Sequence, residues 1–196
     1  AELGFPESIT LNSSGDLFIA TGSRVRKVDA STGIISAVAG TTSGFSGDGE
    51  QATEAQLNDP QDIAVDAAGN LFIADRDNAR IRKVDILTGA ISTFSGGDGG
   101  FAGDGGPAAA AQLRTPEGIT IDGSGSFYVA DKGNHRIRKI DSAGTTITTV
   151  AGGALFTDLA AVDAGLTNPR SVIEDADGNL LVSATGNSRI LKIDAL

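Results

Sequence analysis

Residues 60–84 have the sequence PQDIAVDAAGNLFIADRDNARIRKV. The stretch opens with a proline and an alternating apolar run, turns at Ala68-Gly69-Asn70, and continues into the dense apolar run Leu71-Phe72-Ile73-Ala74. A short polar segment then leads into a third run, which begins at Arg80. Short β-branched and aromatic runs separated by glycine-containing turns are typical of adjacent antiparallel strands. The stretch therefore predicts three consecutive strands.

The same pattern returns along the chain, which therefore consists of internal repeats. Its leading motif, Ala-x-Leu-x-x-Pro, places prolines at positions 6, 60, 116 and 169. A fourth β-branched run closes the first three copies, at Ile34–Val38, Ile91–Phe94 and Ile147–Val150. We expect one domain covering residues 1–196, with repeats 1–54, 55–110, 111–163 and 164–196, the last stopping after its third strand.

The second and third strands of each repeat lack a clean polar face. A sheet covered on both sides would explain this, as a propeller blade is covered by its two neighbours. The sequence therefore predicts an all-β fold: a β-propeller of four-stranded antiparallel blades, in a partial ring of about four blades whose last blade lacks its outer strand. Because an open arc leaves two blade faces bare, three arrangements stay open: part of a larger propeller, a homodimer of two arcs, or a small four-bladed ring.

Residues 60–84, together with Asn134-His135-Arg136-Ile137, resemble the NHL repeat. The resemblance covers essentially the whole chain. NHL-like propellers are usually six-bladed rings, which implies that this chain falls short of a full one. The resemblance also implies three kinds of function: interaction platforms, lyases or lactonases with a central metal held by several His, Glu, Asp or Asn ligands, and RNA binding on a basic face.

Composition separates these functions. The net charge is −10, so neutralisation of nucleic-acid phosphates is unfavourable, and we expect no nucleic-acid partner. No apolar run approaches 18 residues, so no membrane span is expected. With one histidine and no cysteine, no catalytic set, metal site or cofactor can be named. We therefore expect a non-catalytic binding or assembly scaffold with an unknown protein or small-molecule partner; the alternative is a propeller enzyme of the lyase or lactonase type, or a fragment of one. The sequence assigns no compartment.

The ligand site is expected on one end of the propeller. Strand direction alternates within a blade, so the loops between second and third strands emerge at the same end as the links between blades. These loops are long and varied: Gly40–Asp59, Gly96–Thr115, Gly152–Asn168, Asp75–Ala79 and Asp131–His135. Binding residues concentrate on such loops. The candidate ligand-binding residues on this long-loop face are Arg76, Asp77, Arg114, Lys132 and His135.

Residues that recur in every repeat point instead to structural roles. The recurring arginines are Arg24, Arg80, Arg136 and Arg189, and Asp75 and Asp131 stand five residues before two of them. We expect these arginines to form Arg–carboxylate pairs that stabilise the blades, with ligand contact as the alternative. The counterparts of His135 are Ser23, Ala79 and Ser188, so it is expected to be a solvated surface residue unless it contacts ligand.

Two further motifs are expected to be structural. The segments Gly44–Gly49 and Gly100–Gly105 are rich in glycine but lack the Lys-Ser/Thr of a phosphate-binding loop. We expect them to be inter-blade loops with Phe45 and Phe101 as buried plugs. The segment 175–179 resembles the opening of a calcium loop, but Gly186 stands where the loop's glutamate belongs, so no calcium site is expected.

Overall fold

A computed structural model describes residues 3–153 and 165–195. The starts of the first and fourth expected repeats, Ala1 and Ala164, lie outside this part. The described strands are β1 (Pro6–Leu11), β2 (Leu17–Thr21), β3 (Arg24–Val28), β4 (Ile35–Ala39), β5 (Pro60–Val65), β6 (Leu71–Asp75), β7 (Arg80–Val84), β8 (Ile91–Gly96), β9 (Gly106–Pro107), β10 (Pro116–Ile121), β11 (Phe127–Asp131), β12 (Arg136–Ile140), β13 (Thr146–Gly152), β14 (Pro169–Glu174), β15 (Leu180–Ala184) and β16 (Arg189–Ile193).

The helical segments are short 3₁₀ turns at Arg76–Asn78, Ala108–Ala110, Lys132–Asn134 and Thr185–Asn187. Across residues 3–153 and 165–195, no helix has the length and apolar character needed to cross a membrane.

The strands form four antiparallel blades, which confirms the all-β propeller expected from the sequence. Blade 1 has the order β1-β2-β3-β4, blade 2 has β5-β6-β7-β8, and blade 4 has β14-β15-β16. Blade 3 carries a fifth strand, because β9 pairs with the outer strand in the order β10-β11-β12-β13-β9. Each blade begins with its inner strand, and neighbouring inner strands pack side by side.

A β-bulge follows the proline that opens each inner strand. The register shifts between Pro60 and Asp62, between Pro116 and Gly118, and between Pro169 and Ser171. Proline has no N–H to give to a ladder, and a bulge leaves one extra residue unpaired and re-aims its side chain. The extra residues in these three blades are Gln61, Glu117 and Arg170.

The blades stack through three apolar cores. One lies between blades 1 and 2, one between blades 2 and 3, and one between blades 3 and 4. In the middle core, the Phe72 ring packs against Phe94 and Phe127, with centroids 5.0 and 4.5 Å away. The two end faces of this arc stay exposed: Ile9 in blade 1 is 67% exposed and Ile190 in blade 4 is 71% exposed. A closed four-bladed ring would bury both side chains.

The links between blades also protect sheet edges. We call residues 40–59 and 96–115 the linker loops. Gly49 N–H donates to the Ile91 carbonyl at 2.8 Å, so the first linker loop pairs with the outer strand of blade 2. Gly105 N–H donates to the Ile147 carbonyl at 2.8 Å, repeating the contact on blade 3. Each linker loop thus covers an edge that would otherwise present unpaired backbone groups.

Candidate functional site

Charged side chains from three blades meet where the inner strands begin. We call Asp59, Arg76, Glu117, Lys132 and Arg170 the axial cluster. Its centre is the bulge residue Glu117, which is almost fully buried and forms ion pairs with two cations. Lys132 belongs to the 3₁₀ turn of blade 3, and Arg170 is the bulge residue of blade 4, whose Nε lies 3.2 Å from Glu117 Oε2. Glu117 therefore joins blades 3 and 4.

Arg76 extends the cluster into blade 2. Its guanidinium pairs with Asp59, and its Nε donates to Asp77 Oδ1 at 2.9 Å. Gln61 Nε2 in turn donates to Asp59 Oδ1 at 2.8 Å. Burial alone lowers the pKa of Arg76, but the carboxylates of Asp77, Asp59 and Glu117 outweigh it and raise the pKa. Arg76 therefore remains a cation and interacts electrostatically with the buried Glu117.

The backbone at this site is in an unusual conformation. The residue before each of three inner-strand prolines is left-handed, with φ of 56° at Asp59, 47° at Thr115 and 51° at Asn168. Left-handed backbone is costly for a β-branched residue such as Thr115. Such strain gathers at ligand sites and persists only where the surroundings hold it. Here it turns the chain sharply into the inner strands of blades 2, 3 and 4.

The cluster's chemistry suits recognition of an acidic group. Two cations, Lys132 and Arg170, face the one buried carboxylate of Glu117, so these three side chains carry a net charge of +1, whereas Arg76 is balanced by Asp59 and Asp77. The Arg170 side chain is 58% exposed and uses Nε for Glu117. A guanidinium carries further N–H donors whose planar fork matches a carboxylate. An incoming acidic group would therefore meet a pre-oriented donor.

The five candidate ligand-binding residues have different surroundings. Arg76 and Lys132 belong to the axial cluster, and Asp77 binds Arg76. His135 is exposed and left-handed, with φ of 56°, and its Nδ1 accepts the Asn168 backbone N–H at 3.1 Å. This contact ties blade 3 to the start of blade 4.

The fifth candidate, Arg114, is exposed at its side chain and fixed by its backbone. Its N–H donates to Asp131 Oδ1 at 2.7 Å, and its carbonyl accepts the Gly133 N–H at 2.8 Å. A Cβ on Gly133 would lie only 2.6 Å from Arg114 Cγ, so the side chain lies directly over this glycine.

Sequence reasoning missed Asp59, Glu117 and Arg170. For Glu117 and Arg170 a signal was available in the repeats: the residue after each recurring proline is Glu7, Gln61, Glu117 or Arg170, so the proline recurs while the residue after it varies. Variation at one position on a constant scaffold is the property that directed attention to the long loops.

The Arg–carboxylate pairs involve different arginines from those expected. Asp75 pairs with Arg82, at 3.5 Å between Oδ2 and Nη1, and both side chains are fully buried. Arg82 Nη2 also donates to Asp48 Oδ1 of the linker loop at 2.7 Å. On blade 3, Arg138 pairs in the same way with Asp131 at 3.4 Å and Asp104 at 2.7 Å.

The linker loops explain this difference. The Phe45 ring lies 3.9 Å from the Arg80 guanidinium and Phe101 lies 3.7 Å from that of Arg136, so these two arginines stack on aromatic rings. The rings are 43% and 41% exposed, so the expectation of buried plugs was wrong.

In blades 1 and 4 the position of Asp75 and Asp131 is occupied by Thr21 and Ala184. There Arg24 Nε donates to the Thr41 carbonyl at 3.0 Å, and Arg189 is exposed.

Burial changes the ionisation of the buried carboxyl groups. Burial raises the pKa of Asp75, and it raises that of Asp131 to about 6, against the lowering effects of nearby Asn, Arg and backbone donors. Burial also raises the pKa of Asp62, whose oxygens accept Ser8 Oγ at 2.5 Å and Ile119 N–H at 2.9 Å. Asp62 thereby connects the inner strands of blades 1, 2 and 3.

The turn that resembled a calcium loop is closed by its own aspartate. Asp175 Oδ1 accepts the backbone N–H groups of Asp177 at 3.0 Å and Asn179 at 2.9 Å. The Asn179 side-chain amide, followed by these backbone donors, holds the pKa of Asp175 below its usual value. Within the two described ranges, no three His, Asp or Glu side chains are grouped so as to hold a metal ion.

Solved structures resemble this fold over almost the whole chain. A structural genomics protein of unknown function from Bacteroides thetaiotaomicron matches 96% of this chain and 47% of its own, with a TM-score of 0.76 and 19% identity. An auxiliary nutrient binding protein from the same organism matches 95% and 47%, with a TM-score of 0.68 and 18% identity. A virginiamycin B lyase from Staphylococcus aureus matches 96% and 55%, with a TM-score of 0.60 and 14% identity.

Sequence relatives are longer proteins. Protein SUPPRESSOR OF QUENCHING 1, chloroplastic, of Arabidopsis thaliana is 34% identical over 63% of this chain and 12% of its own length. Human Teneurin-4 is 36% identical over 45% of this chain and 4% of its own length. The chain therefore spans a small part of these relatives. The Teneurin NHL domain model matches residues 41–100 and 95–158, more than half of the chain. The chain belongs to the Teneurin NHL domain family of NHL-repeat β-propellers.

Proposed function

We propose that this chain is a non-catalytic binding module whose ligand sits on the long-loop face, over the axial cluster. The observation that carries the proposal is the pairing of one buried carboxylate, Glu117, with two cations, Lys132 and the exposed Arg170. A buried charge needs a partner, but the second cation exceeds that need. The ligand presents an acidic group to the donors of Arg170 and Lys132.

The scaffold is suited to this role. Glu117 and Arg170 are bulge residues of adjacent inner strands, and Lys132 lies in a 3₁₀ turn that is repeated on blades 2 and 4. Side chains on such rigid elements lose little freedom when a ligand binds. The similarity to an auxiliary nutrient binding protein is one of fold, and agrees with a binding role without naming the ligand.

Nuclear magnetic resonance tests the proposal with citrate as a polycarboxylate probe and glycerol as a neutral control. At low salt, where exposed charges are least screened, citrate should shift the Arg170 and Arg76 side-chain N–H resonances, and glycerol should not. Arg170→Ala should abolish the citrate shift at Arg76. The matched control Arg189→Ala, an exposed arginine of the same blade, should leave it unchanged. Equal shifts with both probes, or none with citrate, would contradict the proposal.

Elemental analysis separates this proposal from an enzyme of the lyase or lactonase type. A binding module that works through Lys132 and Arg170 should purify without a stoichiometric metal. One equivalent of bound metal, together with hydrolysis of a lactone or cleavage of virginiamycin B, would favour the enzyme.

The exposed end faces support self-association within the same proposal. Ile9 and Leu11 on blade 1, and Ile173 and Ile190 on blade 4, present apolar surface that a neighbouring blade would bury. Two arcs joined around a two-fold axis would cover both ends of each chain. Light scattering coupled to size exclusion should then give twice the chain mass of 19.7 kDa. A single-chain mass that persists at high protein concentration would rule out the dimer.

A further inference from the structure

The linker loop fills one specific site on blade 2. Its Phe45 ring stacks on Arg80 and lies 4.9 Å from Arg82, while Asp48 accepts Arg82 Nη2 at 2.7 Å and Thr93 Oγ1 at 2.7 Å. The Ser46 carbonyl accepts Arg82 Nη2 as well, at 3.1 Å. An aromatic ring and a carboxylate three residues apart thus hold the loop against two arginines.

Blade 3 repeats this site with the second linker loop. Phe101 stacks on Arg136, and Asp104 accepts Arg138 Nη2 at 2.7 Å and Thr149 Oγ1 at 2.6 Å. The two loops share the pattern Gly-Phe-x-Gly-Asp-Gly, at residues 44–49 and 100–105. The pattern therefore behaves as a recurring peptide ligand of the blade.

Blade 1 has a cavity at the corresponding place. Its volume is about 450 Å³, and its lining includes Leu3, Thr21, Arg24 and Arg26, the counterparts of Leu57, Asp75, Arg80 and Arg82. Arg26 Nε donates to the Ser36 carbonyl at 3.3 Å, and within residues 3–153 and 165–195 neither Arg24 nor Arg26 forms an ion pair. On blade 2 the equivalent arginines, Arg80 and Arg82, hold a phenylalanine and an aspartate; on blade 1, Arg24 and Arg26 line an open cavity instead.

We propose that this cavity binds a Gly-Phe-x-Gly-Asp-Gly peptide segment from the linker of another NHL-type repeat. The phenylalanine ring stacks on Arg24, and the aspartate pairs with Arg26. Thr21 replaces the aspartate that shares Arg82 on blade 2, so the incoming carboxylate supplies the counter-charge that blade 1 lacks.

Both copies of the Gly-Phe-x-Gly-Asp-Gly pattern in residues 1–196 are already bound, one on blade 2 and one on blade 3. The segment that binds in the blade 1 cavity therefore comes from another repeat. The same segment brings the backbone that pairs with the outer strands β8 and β13. On blade 1 it would cover the corresponding edge of β4, whose described partner is β3 alone. The site lies on the outer part of blade 1, apart from the axial cluster of blades 2 to 4, and does not depend on the function proposed for that cluster.

A synthetic peptide of residues 42–56 tests the proposal against the whole chain. In a magnetic-resonance titration it should shift the side-chain N–H signals of Arg24 and Arg26. Peptides carrying Phe45→Ala or Asp48→Asn should bind at least about tenfold more weakly, because each loses one of the two holding contacts. Arg26→Ala in the protein should weaken binding equally, whereas Arg170→Ala, in the axial cluster, should not. Equal binding of the Asp48→Asn peptide would overturn the proposal.

A fused segment keeps the test decisive if the free peptide binds too weakly. Placing residues 41–54 directly before Ala1 reproduces the connection by which these residues precede Ala55. Tethering raises the effective concentration of the segment to the millimolar range. The extended protein should melt at a higher temperature than the parent, and the gain should vanish when the added Asp is changed to Asn. An equal gain with aspartate and with asparagine, or none with either, would refute it.

Discussion

Replacing Arg82 by alanine should destabilise the protein more than any other single arginine change on blades 1 and 2. Its side chain has no exposure and holds two carboxylates at once, Asp75 within the blade and Asp48 on the linker loop. The change therefore breaks a buried ion pair and the main link between the loop and its blade.

The magnitude follows from what the substitution leaves behind. Asp48 is 41% exposed and can return to water, so its loss costs little. Asp75 is fully buried and keeps only the Asn78 side chain and the Asn58 N–H, at 2.8 and 2.7 Å. Breaking a buried pair costs about 3–5 kcal/mol. Because burial already raises the pKa of Asp75, its carboxyl can take a proton, and we expect the lower half of that range, about 3–4 kcal/mol.

Urea unfolding at pH 7 measures this cost, with Arg26→Ala as the matched control. Arg26 occupies the same position on blade 1 but has no carboxylate partner among the described residues, so its loss should cost about 0.5 kcal/mol. The melting temperature should fall by about 2–4 °C for each kcal/mol. Equal losses for Arg82→Ala and Arg26→Ala would refute the reasoning. If Arg82→Ala does not fold, Arg82→Lys against Arg26→Lys makes the same comparison, because an ammonium cannot reproduce the contacts of the guanidinium with both carboxylates.

Three further predictions follow from individual residues. The carboxyl group of Asp131, followed by its carbon resonance, should titrate near pH 6. Because the folded pKa lies above the ordinary 3.8, the free energy of unfolding, relative to Asp131→Asn, should fall by about 1.4 kcal/mol per pH unit as pH rises from about 4 to 6 and then level off. A titration midpoint below 4 would contradict this. Thr115→Asn, which places an amide residue at a left-handed position as Asn168 does on blade 4, should raise stability by about 0.5–1 kcal/mol in urea unfolding, while a loss would show that Thr115 is not strained. A gel-shift assay at about 150 mM salt should detect no submicromolar binding of RNA or DNA, because the net charge is −10.

The blade architecture could be predicted because it depends on sequence patterns that are local to each strand and turn. Alternating runs, glycine turns and the recurring prolines are all read within about ten residues, and each described strand except β9 lies where such a run stands. The fifth strand of blade 3 escaped prediction because Gly106–Pro107 carries no strand signal and is extended only through its pairing with β13.

The site was less predictable because it depends on contacts distant in sequence. Asp75 stands five residues before Arg80 in the sequence, which made that pair the natural expectation, and the two residues do lie opposite each other in the ladder. Arg82 takes the carboxylate instead because Phe45, 35 residues before Arg80, occupies the guanidinium of Arg80. Glu117 and Arg170 meet only because a bulge after each proline turns both residues out of their ladders. Such features require knowledge of how the linker loops cross between blades.

Calorimetric titration of two variants with citrate tests most directly whether the axial cluster binds acidic ligands, because the two substitutions should change the affinity for citrate in opposite directions. Glu117→Gln removes the carboxylate that Lys132 and Arg170 now share, so citrate should bind more tightly than to the parent protein. Arg170→Ala removes the exposed donor, so citrate should bind more weakly. Affinities that change in the same direction in both variants, or that do not change in either, would contradict the account.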